Sequence, residues 1–97
     1  MERKKVISNL KSDGAWYRCR GIIYAAKQDM GDQEIVKILK DLKDDPIWFA
    51  GRQVGWYAIA ALEMLGVEKY TGDDHLVKEF IADLPLFALT LPEDLPD

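Results

Sequence analysis

Cysteine occurs once in these 97 residues, at Cys19. An internal disulfide is therefore excluded, and a single thiol fits a reducing compartment. Histidine also occurs once, at His75. Tight zinc and iron sites draw on more nitrogen or sulfur ligands than this chain offers, so no metal and no cofactor is expected. There is no P-loop, no dinucleotide-binding glycine fingerprint, no CxxC and no HExxH, and with them go the catalytic motifs recognisable by spacing. No apolar run approaches the roughly 20 residues that span a bilayer. The basic opening MERKKVISNLKSDG has no continuous apolar segment and does not read as a secretory signal, so a cytoplasmic protein with no membrane partner is expected. Positive charge is also short: 13 Lys and Arg stand against 17 Asp and Glu, a net charge of −4. That balance weighs against nucleic acid, which is bound mainly by cations neutralising phosphates. Some of the acidity lies in the tail, at Glu93, Asp94 and Asp97, so the body is closer to neutral.

What is present is a foldable core. Hydrophobic residues make up 48% and charged residues 31%, ordinary values for one soluble domain of this length. The chain is organised around residues 41–66, DLKDDPIWFAGRQVGWYAIAALEMLG. Between positions 48 and 65 only Arg52, Gln53 and Glu63 are plainly polar, the pattern of a helix surrounded by neighbours.

The remaining segments read as its wrapping. Residues 2–10 carry Val6, Ile7 and Leu10 at helical spacing. After the turn at 11–14, a second helix over 15–28 places Trp16, Cys19, Ile23 and Ala26 on one side, with Gly31 as its C-terminal glycine. Asp32 caps a third helix with Ile35, Ile38, Leu39 and Leu42 inward. Pro46 sits near the first position of the fourth helix, over 47–65, which Gly66 ends. Gly51 and Gly55 inside it imply close approach by a neighbour. Asp73 and Asp74 open a fifth helix with Leu76, Val77, Phe80, Ile81 and Leu84 inward, and Pro85 stops it. The segment 85–97, with three prolines, is expected to lie extended over the body, partly burying Phe87 and Leu89.

The chain also resembles itself. A shift of 32 aligns Leu10 with Leu42, Asp13 with Asp45, Trp16 with Trp48, Arg20 with Arg52 and Tyr24 with Trp56; a three-residue slip then aligns Met30-Gly31 with Leu65-Gly66. The segment from Asp73 repeats part of the one from Asp32. The unit is a helical hairpin, and the fold class is all-α: a short α-solenoid of two hairpins, a capping helix and an extended C-terminal tail. Leu42-Lys43-Asp44-Asp45-Pro46, followed by Ala58, Ala61-Leu62 and Leu65-Gly66, resembles the HEAT-repeat pattern, including short bacterial HEAT-like repeats. The resemblance covers roughly residues 2–84. It implies a scaffold for binding, usually of a protein, and an Asp–Arg ladder between repeats. Arg20 and Arg52, however, lie seven residues beyond Asp13 and Asp45. Two and a half repeats are fewer than the about three a solenoid needs, so self-capping or a homodimer is expected.

Chemistry-bearing residues read mostly as structure. His75 beside Asp73 and Asp74 reads as solvated surface. Cys19 reads as a buried thiol, although Arg18 and Arg20 flank it and would lower its pKa. The pairs Asp44-Asp45 and Asp73-Asp74 sit where helix caps belong. Aromatics crowd the two inner helices, and Arg20/Tyr24 and Arg52/Trp56 repeat one i, i+4 pair. Trp, Tyr and Arg dominate interface energetics. The expected partner-binding residues on the concave face are therefore Arg20, Tyr24, Arg52 and Trp56, with Arg18 and Glu63. The function expected is a non-catalytic, protein-binding adaptor. The alternative is an acidic inhibitor or immunity-type protein masking a basic toxin or nuclease; an enzyme with a pocket near Cys19 or His75 ranks last.

Overall fold

Aspartate caps set the frame. In the computed structural model, which describes residues 3–90, the Asp32 carboxylate accepts from the Ile35 amide and opens helix α3, Gln33–Leu42. The Asp74 carboxylate accepts from the Leu76 and Val77 amides and opens α5, His75–Leu89. Each satisfies amides that the first turn of a helix leaves without partners. Helices α1, Arg3–Leu10, and α2, Ala15–Lys27, precede them, and α4, Val54–Met64, lies between. The described chain is thus mostly helical, as the patterning requires.

Helix α2 ends where the Asp29 amide reaches the Ala26 carbonyl and the Met30 amide reaches that of Ala25. Helix α4 ends alike, with Gly66 bonded to Glu63 and Val67 to Leu62. Both are Schellman closures around a left-handed residue, Asp29 at φ 54° and Gly66 at φ 71°. Gly66 is the terminator expected; in α2 the role falls to Asp29, not Gly31.

The expected helix over 47–65 is corrected in its first third. Strands β1, Trp48–Phe49, and β2, Arg52–Gln53, form an antiparallel hairpin that pairs Trp48 with Gln53 and Phe49 with Arg52. The connection is Ala50-Gly51, both at positive φ, 54° and 81°, the combination of a type I′ turn, which matches the twist of the strands it joins. The Val54 amide donates to the Ile47 carbonyl at 2.8 Å and the Gly55 amide to that of Asp45 at 3.0 Å, closing the base of the loop. Gly51 therefore serves a turn, and a Cβ on it would meet no atom within 4 Å. Helix α4 is consequently shorter than α2, not longer.

Helix α5 also departs from expectation. Pro85 lies inside it rather than at its end. Its ring omits one backbone donor, but the inward face Val77, Phe80, Leu84, Ala88 continues across it. Phe87 is therefore 48% and Leu89 76% exposed, and Leu76 faces outward at 56%. The expected extended tail is helical as far as Leu89; its remainder, 91–97, lies outside the described residues.

Packing follows the apolar faces. Helix α1 lies on α2, α3 on α4, and α2 against α4; α5 crosses α4 and also meets α2. Val6, Leu10, Ile22, Tyr24, Ile35, Leu39, Val54, Leu62 and Leu84 are almost fully buried where these faces converge. Among the described residues no helix is long and apolar enough to cross a membrane.

Candidate functional site

The hairpin collects the aromatic residues. Trp16, in the first turn of α2, meets Phe49 of β1 at 5.5 Å between ring centroids. Phe49 meets Tyr57 of α4 at 6.5 Å, and Tyr57 meets Phe80 of α5 edge to face at 4.7 Å. Guanidinium groups sit at the two ends of this run. Arg20 Cζ lies 5.3 Å from the Trp16 ring and 5.9 Å from that of Tyr17. Arg52 Cζ lies 4.8 Å from the Phe80 ring. Each is a cation over a ring face, an attraction that grows as water is excluded. The other side of β1 turns Trp48 outward, 60% exposed, against half-buried Trp56, with centroids 5.5 Å apart and planes at 68°.

The six expected site residues separate into two groups. Arg20, Arg52 and Trp56 all lie on or beside the aromatic run. Tyr24, Arg18 and Glu63 have internal roles. Tyr24 is 2% exposed and belongs to the core. Arg18 Nη1 donates to the Ser12 carbonyl at 2.9 Å, and its Nε lies 3.0 Å from Asp45 Oδ2, an ion-pair approach outside hydrogen-bond alignment. Both side chains are largely shielded, at 12% and 14% exposure, so this pair braces α2 to the segment entering the hairpin. The aspartate–arginine link is made by Arg18, and not by Arg20 or Arg52. Glu63 Oε2 accepts from the Tyr70 amide at 3.2 Å and anchors the loop after α4.

Sequence reasoning places Trp16, Tyr17 and Trp48 among the aromatics of the inner helices but does not single them out as site residues. Trp16 and Tyr17 are 53% and 49% exposed. The usable signal was the short run of β-prone aromatics before Ala50-Gly51, which marks a two-residue hairpin more economically than a helix containing glycine.

The reactive side chains are quiet. Cys19 is 1% exposed, and burial pushes its thiol up to about 12, outweighing Arg18, whose charge acts to lower it, while Asp45 adds to the rise. The Tyr57 phenol is also raised, first by burial, then by Cys19, against a lowering pull from Arg52. His75 is 81% exposed, with Nε2 3.0 Å from Glu79 Oε1. Among the described residues no three His, Cys, Asp or Glu side chains are grouped so as to hold a metal ion. Comparison with protein-family models, curated proteins and solved structures finds no match to this chain.

Proposed function

We propose that this chain is a non-catalytic protein-binding module, built as a short HEAT-like stack of two helical hairpins, α1–α2 and α3–α4, and closed by α5. Several features support the stack. Each inner helix packs on the helix before it, and the two inner helices pack together. Gly21 and Gly55 play corresponding parts: a Cβ on Gly21 would crowd Leu10 at the end of α1, and one on Gly55 would overlap the Lys43 carbonyl just after α3. The Arg18–Asp45 pair joins one unit to the next.

Because α5 lies over both inner helices, the recognition surface in this reading is not an open concave face. It is the hairpin and its flanks: Trp16, Tyr17 and Arg20 on one side, Trp48, Arg52 and Trp56 on the other. The observation that carries the reading is Trp48, 60% exposed on the strand that leads into a turn holding Ala50 in a left-handed conformation. A large exposed ring beside a strained turn is favourable to neither solubility nor folding, and such features gather at functional sites.

Affinity capture from a cell extract with wild type and with Trp16→Ala and Trp48→Ala tests this. Both side chains are exposed, so the fold is expected to persist, as circular dichroism would verify. The expected outcome is a protein retained by wild type and lost with either variant; identical captured sets for all three would remove the assignment.

A further inference from the structure

Helix α5 carries Leu76, Glu79, Phe80 and Asp83 at i, i+3, i+4 and i+7, which places them on one helical face. That face and the hairpin border a groove of about 240 Å³, lined on the hairpin side by Trp48, Arg52 and Trp56. The two indoles meet edge to face and so supply two aromatic walls at a corner. Indole is the best of the side-chain rings at attracting a cation. Two carboxylates against one guanidinium leave the groove net negative, in a chain of net charge −4; Glu79 is also met by His75 Nε2 at 3.0 Å, from outside the lining. The groove already holds one cation on a ring face, Arg52 over Phe80. Apolar walls alone would suit an apolar side chain, and carboxylates alone any counter-ion. Together they select a cation carried on an aliphatic stem, because the stem covers apolar surface while its head keeps its charge partner.

We propose that this groove receives a lysine or arginine side chain from a basic protein partner, with the stem against Trp48 and Trp56 and the charge facing Glu79 and Asp83. The proposal rests on the protein-binding reading above and names the chemistry of the partner. The field of the carboxylates also steers a basic surface toward the hairpin, so association would slow as salt is added.

The test uses the ¹⁵N-labelled full chain, whose three tryptophans give three indole signals. N-acetyl-arginine and N-acetyl-lysine methylamides are titrated against the neutral citrulline and norleucine analogues. The cationic probes are expected to move the Trp48 and Trp56 signals saturably and to leave Trp16 in place. Glu79→Gln/Asp83→Asn, at exposed positions, should weaken them at least fivefold. Equal shifts from the neutral analogues, or all three signals moving together, would overturn the proposal. Capture experiments separate the two claims. A protein lost with Trp48→Ala but retained by Glu79→Gln/Asp83→Asn preserves the protein-binding reading and refutes the basic side chain. A protein retained by both variants refutes both.

Discussion

Single positions show where local conformation and local dielectric govern behaviour. Ala50 occupies the first turn position of the hairpin at φ 54°. For a residue with a Cβ this left-handed conformation costs about 1 kcal/mol, and asparagine is the favoured residue there before glycine. Ala50→Asn is expected to raise stability by about 0.5–1 kcal/mol, read as a gain of a few degrees in Tm; an unchanged or lower Tm would mean the turn is not held in this form. Cys19 gives the converse case, a group silenced by its surroundings. With its thiol pushed up to about 12 and only 1% exposed, it should resist Ellman's reagent at pH 8 in the folded protein and react fully in urea. Prompt reaction in native buffer would contradict the burial. The sequence reads Cys19 as a buried thiol, with the flanking arginines as the one feature pulling the other way. Proximity along the chain did not translate into the dominant influence, because desolvation outweighs the single guanidinium charge that acts on it.

The elements were legible where periodicity and capping coincide. Helix α3 has both, with Asp32 at its N-cap and Ile35 and Leu39 buried, and it forms as its sequence implies. Helix α4 was legible only from Val54 onward. The stretch before it admits a helical pattern as well as a hairpin, since the apolar run over 47–51 carries no period. Backbone hydrogen bonds from Val54 and Gly55 back to Ile47 and Asp45 decide between them, and those partners are not visible in local propensity. The same limit applied to Pro85, read as a stop. A long inward face can carry a helix past one missing donor when the residues beyond it still bury apolar surface, as Leu84 and Ala88 do on either side. The candidate site was legible as residue types but not as a place, because its geometry depends on the hairpin. Phe80 joins these elements: 5% exposed, it touches Tyr57 edge to face and lies under Arg52. Phe80→Ala is expected to cost about 3–4 kcal/mol, a large share of the total for a domain of this kind. Urea unfolding measures it; a loss below about 1 kcal/mol would show that α5 is only loosely attached.

For the molecule as a whole, the radius of gyration of 12.0 Å and extents of 35 × 25 × 25 Å match a rounded domain, for which about 12.5 Å is ordinary. An open stack of repeats would be longer. Helix α5 adds to the rounded form by packing over α4 and α2. Ties between distant surface segments add to this and set the response to acid. Arg3 donates to both oxygens of Asp32, at 2.9 and 3.1 Å, and to Glu34 at 2.7 Å. The Arg3 side chain, then the Ile35 amide, hold the Asp32 carboxyl at about 2, below the ordinary aspartate value of about 3.9. A depressed folded pKa means stability present above about pH 4 and lost as pH falls toward 2. Glu68, lowered by Lys43, acts with the same sign. These groups face water, so the effect is modest. Urea midpoints for wild type and Arg3→Ala should differ at pH 6 and converge near pH 2. Parallel curves across that range would remove the Arg3 link as their cause.

The closed base of the hairpin loop has a consequence for how such a surface changes over time. Main-chain bonds from residues 54 and 55 to 47 and 45 pin the loop at its stem, and they require no particular side chain at 48–52. Positions 50 and 51 must accept a left-handed backbone and Phe49 packs against the core, which leaves 48 and 52 as the exchangeable pair: their identities can change to alter what is recognised while the helical frame beneath stays constant, in the way antibody loops vary on a fixed sandwich.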